Sequence, residues 1–229
     1  MKNIGILLPA YNEERNIKIV LREAKRFLPN AVVIVVDDGS SDRTSKIAKS
    51  EGVHVIVHKE NKGKGEALRS GLEFLDKKMS GIKYIVVADA DRQYTIAEAP
   101  KVLKPLIDNS ADFVMGYRDF SGVPFRHRLG NFVWKTVFNI LFGTRLKDTN
   151  CGFIAMKKEV AQAVIKVVGG GYIIENSLLI EAMKKKFRIT QVKVSVRYKK
   201  TSAIRRGLRT VLGVLVFILD KGIKYRLGR

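Results

Sequence analysis

Short apolar runs alternate with amphipathic stretches through the first half of the chain. Residues 4–8, 31–36, 53–57, 84–88 and 113–115 are almost wholly apolar and read as buried strands. Residues 16–27, 43–50, 65–77 and 97–107 carry helical spacing between them. This alternation is that of βαβ units and predicts an α/β fold: a mostly parallel central sheet with helices on both faces. Residues 129–142 extend the helical pattern with two apolar stripes. Leu129, Phe132, Val133, Thr136, Val137, Ile140 and Leu141 share one, while Trp134, Phe138 and Phe142 form the other. Such a helix can pack on the protein with one stripe and enter a lipid interface with the other, where Trp suits the headgroup boundary. Two core-facing stripes, or an oligomer interface, would give the same pattern.

Polar residues gather where the strands end. Pro9-Ala10-Tyr11-Asn12-Glu13-Glu14 follows the first strand, with Asn12 as a candidate N-cap and the acidic residues in the first turn. Asp37-Asp38-Gly39-Ser40-Ser41-Asp42 follows the second. There Gly39 permits a tight turn, Ser41 or Asp42 can cap the next helix, and Asp37 suits bracing of the turn. Asp89-Ala90-Asp91-Arg92-Gln93 follows the fourth. Were that segment extended, Asp89, Asp91 and Gln93 would share a face, giving three oxygen donors suited to Mg²⁺ or Mn²⁺. A bare D-x-D triplet is more often a solvated loop with a capping Asp. The C-terminal edge of an open parallel sheet is, however, where ligands bind. Asn61-Lys62-Gly63-Lys64-Gly65 lies between strand and helix and suits an anion, but it matches neither the P-loop nor the dinucleotide fingerprint.

Taken in order, Pro9-Ala10-Tyr11-Asn12-Glu13, the Asp37 to Asp42 cluster, the Asn61 to Gly65 loop, Asp89-Ala90-Asp91-Arg92-Gln93 and Asp148-Thr149-Asn150-Cys151-Gly152-Phe153 resemble the family 2 inverting glycosyltransferases. Within that family the resemblance is greatest to the polyprenyl-phosphate hexose synthases of the dolichyl-phosphate mannose and dolichyl-phosphate glucose type. It covers about residues 1–200. It implies a GT-A fold, a nucleoside diphosphate sugar donor (UDP-glucose or GDP-mannose), a divalent metal (Mg²⁺ or Mn²⁺) and a polyprenyl phosphate acceptor. By the same resemblance Pro9, Tyr11 and Glu13 meet the base and ribose, and Asp38 meets the base. Lys64, Asp89, Ala90 and Asp91 complete the donor site, and Asp89, Asp91 and Gln93 hold the metal and diphosphate. Arg118 and one of Arg126 or Arg128 are assigned to the acceptor phosphate, with Asp91, Arg118 and Arg128 as the catalytic set. The family's later arginine has no clean counterpart in Arg197-Tyr198-Lys199-Lys200-Thr201-Ser202, where Lys200 or a neighbouring cation takes its place.

The acceptor class follows from chemistry. Transfer to a sugar hydroxyl requires a general base near the anomeric carbon. Glu175 could serve, or could simply occupy a helix first turn. A phosphate monoester is already ionised and requires cationic clamping instead, for which arginine's planar fork is suited. Asp148 could face the acceptor or brace its own loop.

Charge adds a surface to this scheme. The chain of 229 residues carries 43 Lys and Arg against 22 Asp and Glu, a formal net charge of +21. Residues 184–229 hold 15 basic residues and one acidic. Within them residues 211–219 form an apolar run flanked by Arg205, Arg206 and Arg209 and by Lys221, Lys224 and Arg226. Nine residues make about 13 Å of helix, whereas a spanning helix needs about 20 apolar residues, so this segment is expected to lie in an anionic interface. The expected organisation is a catalytic domain over 1–200 (donor half 1–117, acceptor half 118–200) followed by a basic amphipathic helix over 201–229. A single cysteine, Cys151, excludes an internal disulfide, and Met1-Lys2-Asn3 leads straight into a strand. Both fit a cytoplasmic protein, peripheral on the cytosolic face of a membrane, with a homo-oligomer or a membrane subunit as possible company. The competing readings are a family 2 enzyme acting on a hydroxyl of a glycan or glycolipid and, more remotely, a basic nucleic-acid-binding module. No RNP-type aromatic motif supports the latter, and nucleic acid is not expected as a partner.

Overall fold

The computed structural model describes residues 3–118, 125–167, 173–197 and 207–228. β1 (Ile4–Ala10), α1 (Ile17–Phe27), β2 (Val32–Asp37), α2 (Thr44–Ser50), β3 (His54–Val57), α3 (Lys64–Lys78) and β4 (Tyr84–Val87) follow in strict alternation. A 3-10 turn at Ile96–Glu98 leads into α4 (Ala99–Ile107), then β5 (Phe113–Arg118) and α5 (Phe125–Phe142). β6 (Ile154–Lys157), α6 (Lys158–Val164), α7 (Ile174–Lys184), β7 (Ile189–Val194) and α8 (Gly207–Arg226) complete the chain.

The seven strands form one sheet in the order β3-β2-β1-β4-β6-β5-β7. Every pairing is parallel except those of β6, which runs antiparallel to both β4 and β5. The Ile6-Leu7-Leu8 and Ile34-Val35-Val36 runs are explained by burial on both faces, all six side chains being fully buried. The chain winds outward from β1 through β2 to β3, then returns to place β4 on the other side of β1. The loops leaving the C-terminal ends of β1 and β4 therefore diverge from a topological switch point, the crevice in which open α/β sheets bind ligands.

Two local expectations are corrected. Asn12 does not cap α1: it sits at φ 55°, and the helix begins at Ile17, with Asn16 in the cap position and no acidic residue in the first turn. Asn12 instead faces the second turn, its amide donating to Ser40 Oγ (2.9 Å) and its side chain accepting from the Ser41 amide (2.9 Å). Asp42 does serve the start of α2, accepting from the Thr44 amide at 2.9 Å and reaching across to the Glu14 amide at 3.0 Å.

α5 and α8 pack against each other. Phe138 and Phe142 are buried, and Phe142 meets the Tyr225 ring at 5.1 Å between centroids. Arg226 closes the seam by donating from Nε to Leu141 O and from Nη2 to Ile140 O, each at 2.7 Å, which satisfies orphan carbonyls at the C-terminal end of α5. Of the two stripes on α5, the aromatic one thus faces the protein, while Phe132 and Ile140 of the other are 57% and 66% exposed. α8 is divided likewise, with Val214 and Ile218 buried and Val216, Leu219 and Ile223 exposed. No helix among the described residues is long and apolar enough to cross a membrane.

Candidate functional site

A cleft of about 640 Å³ opens at the β1/β4 switch point. Its lining includes Pro9, Tyr11, Glu13, Asp38, Lys64, Asp89, Ala90, Asp91 and Gln93, so every residue expected on the donor and metal side reaches one space. Pro9 is fixed within β1, and Tyr11 stands at its mouth, 47% exposed. Glu13 Oε2 accepts from Asn16 Nδ2 at 2.6 Å, which anchors the β1 loop to the start of α1.

The three donors after β4 arrive by a route the sequence reading did not foresee. β4 ends at Val87, and residues 90–94 turn rather than continue extended. Arg92 takes φ 64°, and Asp91 Oδ1 accepts from the Gln93 amide at 2.9 Å. Strand alternation is therefore not what brings Asp89, Asp91 and Gln93 together; a side-chain-stabilised turn does so.

Asp37 and Asp38 divide their labour. Asp37 Oδ1 accepts from the Ser40 amide at 2.9 Å and braces the turn, in which Gly39 adopts φ 72°. Asp38 lines the cleft but is 3% exposed, and its carboxylate already accepts from the amides of Lys62 (3.0 Å) and Gly63 (2.7 Å) and meets His58 Nδ1 at 2.7 Å. His58 in turn contacts Ser70 Oγ through Nε2 at 2.9 Å. Asp38 therefore positions the Asn61 to Gly65 loop, a bracing duty expected only of its neighbour.

Lys64, the first residue of α3, sends its ammonium between two carboxylates. Nζ lies 2.6 Å from Asp89 Oδ1 and 2.8 Å from Glu175 Oε1. Burial alone would lower its pKa, but Asp89 and Glu175 outweigh that and hold it above the usual lysine range. Gly152 lies beside this contact. A Cβ there would stand 2.7 Å from Asp89 Oδ2 and 3.1 Å from Lys64 Nζ. The ammonium is in effect a stand-in cation, showing that this end of the cleft suits positive charge. Among the described residues no three His, Cys, Asp or Glu side chains cluster as a complete metal set. Two or three protein oxygens with remaining positions open is the arrangement Mg²⁺ and Mn²⁺ use when phosphates complete their shells.

Arg118, expected at the acceptor phosphate, is held by Asp148. Nε donates to Oδ2 at 2.6 Å and Nη2 to Oδ1 at 3.0 Å, and Asp148 is fully buried. Burial opposes the Arg118 charge, yet Asp148 raises its pKa above the usual arginine value. Asp148 also accepts from the Asn150 amide at 3.0 Å, so of its two candidate roles it takes that of bracing its own loop, and it holds Arg118 as well. Cys151 is buried beside this pair; burial first, and Asp148 second, push its thiol up to about 12, which makes it inert as a nucleophile. Arg126 and Arg128 fall in the first two turns of α5, but their side chains lie outside the described residues, as does Lys200 altogether.

Trp134 and Val214 line the cleft although no motif pointed to them, and Asn150 and Glu175, named before only as part of a loop motif and as a candidate base, line it as well. Glu175 takes the helix first-turn position that was one of its two readings, as the second residue of α7, and its carboxylate faces the cleft. Trp134 and Val214 bring α5 and α8 into the cleft wall.

The family model described as Glycosyl transferase family 2 matches residues 5–164. A UDP-N-acetylglucosamine–dolichyl-phosphate N-acetylglucosaminyltransferase of Methanococcus voltae is 29% identical over 239 residues, covering 94% of each chain. A dolichyl-phosphate hexose transferase of Haloferax volcanii is 29% identical over 198 residues, covering 85% of this chain and 83% of that protein. Among solved structures, glucosyl-3-phosphoglycerate synthase from Mycobacterium tuberculosis in complex with Mn²⁺, uridine diphosphate and phosphoglyceric acid superposes with a TM-score of 0.77 at 22% identity, covering 96% of this chain and 78% of that one. The GT-A fold is thereby established.

Proposed function

This chain belongs to glycosyl transferase family 2, and from that premise we propose that it transfers a hexose from a nucleoside diphosphate sugar to a polyprenyl phosphate at a membrane surface. One observation carries the reading: the cleft that gathers Pro9, Tyr11, Asp89 and Asp91 is walled by Trp134 and Val214 from the two helices whose outer faces are apolar. A polar donor site opening onto an apolar helix pair is what a lipid phosphate acceptor requires. The dolichyl-phosphate relatives support the acceptor, and UDP in both a relative's name and the structural neighbour supports a uridine donor.

Pro9, Tyr11 and Glu13 hold the base and ribose, with Asp38 fixing the loop that closes over them. Asp89 and Asp91, with Gln93 alongside, hold a divalent metal, which supplies charge neutralisation to the departing diphosphate. The first turn of α5, with Arg126 and Arg128, offers amide donors, a favourable dipole and cations to the acceptor phosphate. Because Arg118 is committed to Asp148, it steadies the β5 end of the site rather than acting as a mobile clamp. A hydroxyl acceptor would need a base, and Glu175, the carboxylate read as a candidate for that duty, is tied to Lys64. The exposed apolar side chains of α5 and α8, with Lys221 and Lys224 beside them, dock on the anionic cytosolic leaflet.

Labelled UDP-glucose and dolichyl phosphate in anionic vesicles test the reading directly. Label is expected in the lipid phosphate fraction. The double variant Val216→Glu/Ile223→Glu should float with vesicles far less and transfer label about tenfold more slowly, since each exposed side chain would otherwise bury area worth roughly 1–2 kcal/mol. Transfer to soluble glycan hydroxyls, with none to lipid phosphate, would contradict it.

A further inference from the structure

We infer that Lys64 is an exchangeable counter-cation, which occupies the metal end of the cleft until a divalent ion displaces it from Asp89, so that metal and nucleotide bind cooperatively. The inference rests on reading Asp89 and Asp91 as metal ligands and goes beyond it by giving Lys64 and Glu175 a coupled task. Its ground is the geometry: one ammonium within 2.8 Å of two carboxylates from different parts of the chain, with Gly152 beside all three side-chain ends.

The charges explain the coupling. Lys64, Asp89, Asp91 and Glu175 sum to two negative charges, so a divalent ion arriving alone meets a site already partly neutralised, with an ammonium beside it. Like charges at such separations repel strongly away from bulk water. For Asp89 to turn to the metal, Lys64 must yield that contact. Glu175 lets it do so without leaving its charge unpaired, since the second carboxylate stays within reach. A diphosphate bound at the same time improves the exchange, because it adds negative charge near the start of α3, of which Lys64 is the first residue. Metal alone should therefore bind weakly, and metal with UDP strongly, beyond the affinity that Mn²⁺ and UDP have for each other in solution.

Calorimetric titration of Mn²⁺ into the protein, with and without saturating UDP, measures this without any turnover. Lys64→Met is expected to bind Mn²⁺ alone at least about fivefold more tightly than the wild type and to lose most of the UDP enhancement, a change within the usual 5- to 150-fold span of site coupling. Lys64→Arg, which keeps the charge, should resemble the wild type. A purely structural lysine would leave Mn²⁺ affinity unchanged or weaken it in Lys64→Met, and either result overturns the inference. If Lys64→Met does not fold, Glu175→Gln carries the test. It should weaken Mn²⁺ binding at least about fivefold by leaving Lys64 wholly to Asp89, and unchanged or tighter binding overturns the inference. Wild-type protein that binds no Mn²⁺ even with UDP would overturn both this exchange and the metal reading beneath it. Wild-type binding with Lys64→Met indistinguishable from it would overturn the exchange alone.

Discussion

Asp91→Asn is expected to lower sugar transfer about a thousandfold, the consequence of removing roughly 4 kcal/mol of charge stabilisation from the leaving diphosphate. The substitution is chosen because it separates chemistry from folding. Asp91 helps build its own turn by accepting from the Gln93 amide, and an Asn side-chain oxygen can accept the same bond. The melting temperature should accordingly stay within a few degrees of the wild type while activity falls. Steady-state transfer measured beside a thermal melt checks both halves. Substantial residual activity would show that the carboxylate charge at this position is dispensable; a lost fold would show that its role is structural.

Arg118→Ala is expected to act in the opposite sense, on stability before chemistry. It strands the fully buried Asp148 carboxylate, and breaking a buried pair by removing one partner costs about 3–5 kcal/mol. For a chain of this size that corresponds to a fall in melting temperature of roughly 10 °C. Removing both partners together, as Arg118→Met/Asp148→Leu, should restore much of the loss, because neither charge is then left buried without the other. If Arg118→Ala melts within about 2 °C of the wild type yet fails in transfer, the guanidinium acts on the acceptor and not as the partner of Asp148.

The first half of the fold was legible because β1, β2 and β4 are buried on both faces and so read as unbroken apolar runs between helices of clear period. The second half was not. β6 is only Ile-Ala-Met-Lys, too short to stand out, and β7 is Ile-Thr-Gln-Val-Lys-Val at the sheet edge, half-exposed and marked only by weak alternation. The donor side of the site was legible as a set of residues, since strand ends at a switch point collect ligand-binding side chains whatever the local backbone does. Its geometry was not. Extended alternation predicted a shared face for Asp89, Asp91 and Gln93, whereas the positive φ of Arg92 makes a turn, a choice that local sequence leaves open. Glu175 shows the limit most plainly: it lies 86 residues beyond Asp89 in the chain and 111 beyond Lys64, and nothing in its neighbourhood announces that it shares an ammonium with them. Asp148 and Arg118, 30 residues apart, are tied in the same way, through space and out of reach of any periodicity.

A crystal of the protein grown with Mn²⁺ and UDP, with the manganese located by its anomalous scattering, decides whether this cleft is a nucleotide-sugar site. The ion is expected in direct coordination with the Asp91 carboxylate, with Asp89 beside it and the diphosphate oxygens completing its shell. Manganese carried by UDP alone, or bound away from residues 89–93, would contradict it.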